Sequence, residues 1–177
     1  MTDPDVNLDR LPVFDNHYGR PDQWPGLRVD GLVAEPRTFS ATDLEAFAAA
    51  GLTDDFRCEE GWVVNDQTWE GVSLAELLQA VRPLPEARYA ELSASGYSVA
   101  VPLTGTEQTD SEPLDPTHAL LATRLNGAAL PEEHGGPCRL VLTGGACYTS
   151  IKWVDHIRLT AERPEETAQQ IASQRNG

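Results

Sequence analysis

Lysine is almost missing from this chain. Of 13 basic residues 12 are arginine and one, Lys152, is lysine, against 28 Asp and Glu, for a net charge of −15. Such a field repels nucleic acid and anionic lipid surfaces, which argues against both as partners. So acidic and lysine-poor a composition matches adaptation to a salt-rich cytoplasm, a halophilic setting in which self-repulsion is screened over a few Å. No apolar run approaches the roughly 18 residues of a membrane span, so membrane insertion is not expected. The opening MTDPDVNLDR has neither a basic leader nor a twin-arginine pair, so the expectation is a soluble, cytoplasmic protein. Cysteine is scarce too. Cys58, Cys138 and Cys147 contain no C-x-x-C pair, which argues against a disulfide framework and against a structural zinc site.

What is present is turn-rich. The 177 residues carry 14 Gly and 13 Pro, which suits one domain that is not mostly helical. The expected division is a flexible N-terminus over 1–10, one domain over 11–163, and a tail over 164–177 that is a marginal helix or disordered. LRVDGLV alternates as a strand does, with Leu27 and Val29 on one face. TDLEAFAAAG reads as a helix capped by Ser40 or Thr42 and closed by Gly51. Phe56-Arg57-Cys58 is strand, Asn65-Asp66 a turn, and Ser73 caps a helix with Leu74, Leu77, Leu78 and Val81 on one face. A hairpin or bend is expected around Gly96, and a hairpin turn at Asn126-Gly127. Residues 138–142 and 151–159 read as strands.

The stretch FRCEEGWVVNDQTWEG holds the strongest chemical candidate, Cys58, placed where an apolar strand meets a polar, Gly-containing loop. Arg57 favours its thiolate and Glu59-Glu60 oppose it, so charge alone leaves its reactivity open. A buried structural cysteine is the competing reading. Asn16 and His17 lie in a Pro- and Gly-rich coil, where such a pair also serves as a turn cap. Between the last two expected strands, Gly144-Gly145 and Tyr148-Thr149-Ser150 form a loop whose N–H groups and hydroxyls can hold an anion.

LRVDGLVAEP, CEEGW followed by WEGVSLAELL, GYSVAVPL, ALLATRLNGAALPEEHGGPCRLV and YTSIKWVDHI, in that order, resemble the molybdopterin-binding domain of the sulfite oxidase family, especially its small members related to methionine sulfoxide reductase catalytic subunits. The resemblance implies an α+β fold of mixed β-sheets with short flanking helices. It implies molybdopterin with molybdenum as cofactor, and oxygen-atom transfer on a small sulfite- or sulfoxide-like substrate. By the same resemblance Cys58 is the metal's protein ligand, and Asn16, His17, Tyr18, His134, Arg139, Ser150, Ile151 and Lys152 contact pterin and phosphate. Trp62 and Tyr97 become candidate walls of a substrate funnel. With no haem motif and no iron–sulfur cysteine set, an external electron donor or acceptor is required. Asp15 and Thr149 stand where members of the family often carry Arg and Lys, and a non-catalytic or metal-free module that keeps the fold is the alternative.

The charge balance generates one expectation. Melting temperature rises between about 0.1 M and 1 M salt, over which the Debye length falls from roughly 10 Å to 3 Å; a flat melting curve would contradict it.

Overall fold

The computed structural model describes residues 6–12, 20–58, 61–103, 119–142 and 149–175. Its order is β1 (Val6–Asn7), β2 (Leu27–Gly31), β3 (Arg37–Phe39), α1 (Ala41–Glu45), β4 (Ala50–Cys58), β5 (Trp62–Ser73), α2 (Leu74–Gln79), β6 (Tyr89–Ala94) and β7 (Tyr97–Pro102). Then come β8 (Ala119–Leu125), β9 (Ala128–Ala129), a 3-10 turn (Glu132–His134), β10 (Arg139–Leu142), β11 (His156–Thr160) and α3 (Ala168–Arg175). Two mixed sheets result. The first has six strands on the path β1-β5-β8-β10 with β4 and β9 attached, and the second has five in the order β3-β2-β11-β6-β7.

The strand alternation read from the sequence sets what lies between the sheets. Val72, Leu121 and Leu140 of the first sheet meet Val29, Leu92 and Ile157 of the second, with Leu74, Leu77 and Leu78 of α2 closing the same core. The opposite face of the first sheet carries a second, smaller cluster around Val64, Trp69, Leu120, Ala122 and Val141, with Phe56 and Trp62 packed on it. Both helix caps are where serine predicts them. Ser40 Oγ accepts from Asp43 N at 3.1 Å while Asp43 Oδ2 accepts from Ser40 N at 2.8 Å, and Ser73 Oγ accepts from Glu76 N at 3.2 Å. Ser95-Gly96 and Asn126-Gly127 have positive φ throughout, as two-residue hairpin turns require.

Four expectations are corrected. The helix after Ser40 ends at Glu45, and Gly51 lies inside β4 opposite Glu70. Pairing of β4 with β5, Leu52 opposite Trp69 among the pairs, outweighs the high helix propensity of the intervening alanines. Asn65-Asp66 is not a chain reversal. Asp66 takes φ 53° within a continuous β5, in a bulge where Asn65 and Asp66 stand against the single residue Asp55 of β4, and its N–H donates to Asp55 Oδ1 at 3.0 Å. The last strand starts at His156 because Trp153, at φ 55°, interrupts extended chain. Val6–Asn7 pairs in parallel with Trp62–Val63, so the first sheet reaches into the region expected to fray.

The tail also docks. Ser98 N donates to Thr167 Oγ1 and Ala100 N to Glu166 Oε1, both at 2.9 Å, and Ala168 is buried. These side chains satisfy outward N–H groups of β7, an edge strand.

Gly71 marks the tightest point of the first sheet: a Cβ there meets Leu121 O at 2.0 Å. Gly71→Ala should therefore cost roughly 1–3 kcal/mol or more in denaturant unfolding. Gly51→Ala, whose Cβ meets only Trp69 O at 3.8 Å, should stay within about 0.5 kcal/mol.

Candidate functional site

Cys58 ends β4 and lies opposite Trp62, the first residue of β5; the reversal between them is closed by Gly61 N donating to Cys58 O at 3.0 Å, with Gly61 at φ 90°. Directly opposed residues of an antiparallel pair share a face, as do residues two apart. Cys58, Trp62 and Phe56 therefore project from the outer face of the first sheet, the one that carries the smaller cluster. The Phe56 and Trp62 rings stack with centroids 5.9 Å apart, and Trp69 lies 6.1 Å from Phe56. The thiol is half-buried.

Arg139 opens β10 on the same face, in step with Val141. It is only 5% exposed, and burial of a guanidinium demands compensation. Its Cζ lies 5.1 Å from the Phe56 ring centroid and 5.2 Å from that of Trp69, and Nη1 donates to His134 O at 2.9 Å. Phe56 thus touches Arg139 and stands two residues from Cys58, so one strand face joins the thiol to the buried cation.

One further cation, Lys152, and the His134 imidazole converge on Arg139. Lys152 Nζ donates to Glu133 O at 2.9 Å. The Lys152 ammonium is lowered to about 8, first by burial and then by the Arg139 charge, with Glu133 partly opposing both. His134 is likewise held below the ordinary imidazole range, first by burial and then by Lys152 and Arg139. Among the described residues, no carboxylate forms a salt bridge with Lys152. A chain of net charge −15 therefore keeps a half-buried positive centre. Such a centre fits an anionic group, whose arrival relieves the repulsion between Arg139 and Lys152.

The other predicted residues divide. Asn16, His17 and Tyr18 lie outside the described residues, as do Glu59, Glu60, Cys147 and the Gly144-Gly145 loop. Arg20, just beyond the first of these segments, forms an ion pair with Glu132 of the 3-10 turn. Ser150 is half-buried one residue before Ile151. The Ile151 side chain sits in the core between the sheets, its carbonyl accepts from Leu140 N at 2.9 Å and its N–H donates to Thr149 O at 3.0 Å. It anchors the segment in that core. Tyr97 is not brought to this group. It begins β7 in the second sheet and packs on the inter-sheet core, on the far side of the first sheet from Cys58. A cleft of about 270 Å³ between α1 and the first sheet, lined by Phe47, Glu70 and Arg124 among others, contains none of the predicted residues.

Sequence reasoning missed Phe56 and Trp69 as the shelf for Arg139; their only signal was aromatic spacing around the cysteine. The donor set suits molybdopterin. A half-buried thiol on a strand end offers a soft ligand, and the cationic group offers a phosphate seat. Cys138 is no competitor, since complete burial raises its thiol to about 12 and keeps it protonated.

Comparison with known proteins follows this geometry. Residues 12–168 match the family model described as oxidoreductase molybdopterin binding domain. The chain is 32% identical over 147 residues to an uncharacterized oxidoreductase, YuiH, of Bacillus subtilis (strain 168), covering 82% of this chain and 70% of that protein. It is 31% identical over 154 residues to the protein-methionine-sulfoxide reductase catalytic subunit MsrP of Ralstonia nicotianae, with 82% of this chain and 46% of that protein covered. The crystal structure of the sulfane dehydrogenase SoxCD from Paracoccus pantotrophus shares the fold, with a TM-score of 0.67, 24% identity, and 80% of this chain and 39% of that one covered. The chain thus spans less than half the length of two of these three relatives. With a family model matching most of its length and a relative above 30% identity covered over more than two thirds, the chain belongs to the oxidoreductase molybdopterin-binding domain family, of the sulfite oxidase type.

Proposed function

We propose that this chain is the cofactor-binding unit of a molybdenum oxidoreductase that moves an oxygen atom to or from a small sulfite- or sulfoxide-like substrate. The observation that carries the reading is one sheet face holding Cys58 at its hairpin tip and Arg139 beneath Phe56 and Trp69, with the Lys152 ammonium and the His134 imidazole beside it. The Ralstonia relative, by name a methionine-sulfoxide reductase subunit, supports the sulfoxide arm.

When bound, molybdopterin supplies two-electron redox chemistry and oxygen transfer at molybdenum. Cys58 would hold the metal through sulfur, a soft donor suited to it. Arg139 and Lys152 would hold the phosphate by charge-assisted hydrogen bonds, with Ser150 beside them and His134 toward the pterin. Asn16, His17 and Tyr18 would complete the pterin contacts. Trp62, opposite Cys58, would wall the substrate side and limit water. Oxygen transfer leaves a two-electron imbalance on each turnover, so an external donor or acceptor completes the cycle. No helix of the described residues is long and apolar enough to cross a membrane. The acidic composition supports a salt-rich cytoplasm as the working compartment and disfavours nucleic acid as a partner.

Cys58→Ser should abolish molybdenum-dependent turnover while changing stability by only about 0.5–3 kcal/mol. Full activity in that variant would end the ligand assignment.

Loading should depend on the cationic group. Molybdenum and pterin content per chain should fall in Lys152→Ala and in Arg139→Ala and hold in the exposed control Arg88→Ala; equal loading in all three would sink the phosphate seat. The pH dependence has a definite sign. Between about 8 and 10.5 the folded chain has lost a Lys152 proton that the unfolded chain keeps, so this group adds stability as pH rises through that window. Anion affinity moves the other way, because neutral Lys152 no longer attracts a phosphate. Calorimetric affinity for inorganic phosphate should therefore drop on the order of tenfold between about pH 7 and pH 9.5, and Lys152→Arg should remove the drop.

A further inference from the structure

The four consecutive carbonyls of residues 132 to 135 all receive donors from outside their turn. Glu132 O accepts from Trp153 Nε1 at 2.9 Å, Glu133 O from Lys152 Nζ at 2.9 Å, His134 O from Arg139 Nη1 at 2.9 Å, and Gly135 O from Trp153 N at 3.1 Å. Trp153 supplies the first and last of these bonds, at the two ends of the row. It is 8% exposed and held at φ 55°, a conformation that a residue with a large side chain seldom adopts. The Lys152 ammonium lies 5.7 Å from its ring centroid, within cation–π range. From the other side Gly135, at φ 101°, presses on the lysine stem, since a Cβ there would come within 2.8 Å of Lys152 Cβ and Cγ. The lysine is therefore confined between a glycine backbone and an indole.

We propose that Trp153 is a positioning residue for the phosphate seat: clamped to the carbonyls of Glu132 and Gly135, it locks the turn against Lys152, so that Lys152 and Arg139 are presented to a phosphate already ordered. This rests on the anion-site reading above and goes beyond it, because Trp153 would not touch the ligand. The physical need is plain. Two mutually repelling positive groups in one half-buried place would relax apart, and a flexible lysine would swing to solvent, unless something fixed them. Lys152 Nζ and Arg139 Nη1 each donate to a backbone carbonyl of the same turn, which fixes where both side chains lie. Ordering then precedes binding, and the entropy of fixing the side chains is not charged to the complex. The burial that comes with this confinement, with the Arg139 charge second, is what lowers the Lys152 ammonium.

Because Lys152 is the only lysine, chain labelled with 15N-lysine gives one side-chain ammonium signal, and its titration can be followed with inorganic phosphate as the probe. The wild type should titrate near 8 without phosphate and higher with it. Trp153→Phe keeps a ring and removes the indole donor; its ammonium should titrate closer to the ordinary 10.5, and phosphate affinity should fall about three- to tenfold, the cost of ordering one long side chain on binding. A residue with only a structural role would lower the melting temperature and leave the titration where it was. Unchanged titration and unchanged phosphate affinity in a folded Trp153→Phe chain overturn the proposal. Should that variant not fold, the wild type decides: slowed ammonium proton exchange with a titration near 8 supports the clamp, and an ordinary lysine titration refutes it. If Lys152→Ala and Arg139→Ala also leave phosphate affinity unchanged, the failure belongs to the anion-site reading and not to the clamp.

Discussion

A guanidinium that is only 5% exposed must be solvated by the protein, and Arg139 is the constraint around which the outer face of the first sheet is arranged. Water's place is taken by two aromatic faces and a carbonyl: Phe56 from β4, Trp69 from β5, and His134 O from the 3-10 turn. Each belongs to a different element, so one charge couples three of them. Phe56 brings in Cys58, two residues further along its strand, and the His134 carbonyl brings in the row that holds Lys152. A buried cation is costly unless fully compensated, and that cost keeps the hairpin, the sheet and the turn in one register.

The electrostatics work at two ranges. At long range a net charge of −15 opposes the approach of any anion. At contact range the half-buried cations act through a medium that screens poorly. Raising ionic strength damps the first and leaves most of the second, since mobile ions screen exposed charges far better than buried ones. A salt-rich solvent would therefore let an acidic protein hold an anionic cofactor with little penalty from its own surface. The single lysine belongs to this contrast: a compact, strongly hydrated point charge appears only where it is confined and partly dehydrated, while every other basic residue, Arg139 beside it included, is arginine.

Much of this was legible in the chain. Alternation gave β2 and the β6–β7 hairpin, serine gave both helix starts, and Asn126-Gly127 gave its turn, because each depends on local chemistry. Gly51 and Asn65-Asp66 misled for one reason. Local signals of a helix end and of a turn were real, but pairing across β4 and β5 turned them into strand interior and bulge. Cys58 stood out by its residue type and setting. Arg139 and Lys152 were readable through the order of motifs, whereas their partners were not, since an arginine beneath Phe56 and Trp69 depends on contacts more than 60 positions apart in sequence. Tyr97 failed for the complementary reason: a lone aromatic residue after a turn carries no mark of which sheet, or which side of a sheet, it will join.

The two faces of the first sheet carry different loads. Its inner face packs against the second sheet and α2 in a large apolar cluster, and that cluster supplies most of the burial that holds the domain together. Its outer face packs a smaller cluster whose aromatic members double as the bed of Arg139. Hydrophobic burial on that side thus serves the placement of charge as well as stability. Strands couple the two, since a residue shift in β4 or β5 would turn Cys58, Phe56 and Trp69 inward. Gly71, with no room for a Cβ against Leu121 O, and the bulge at Asn65-Asp66 both restrict such a slip. The register that folds the sheet is then also the register that puts a thiol, an aromatic shelf and a buried cation on one side of it.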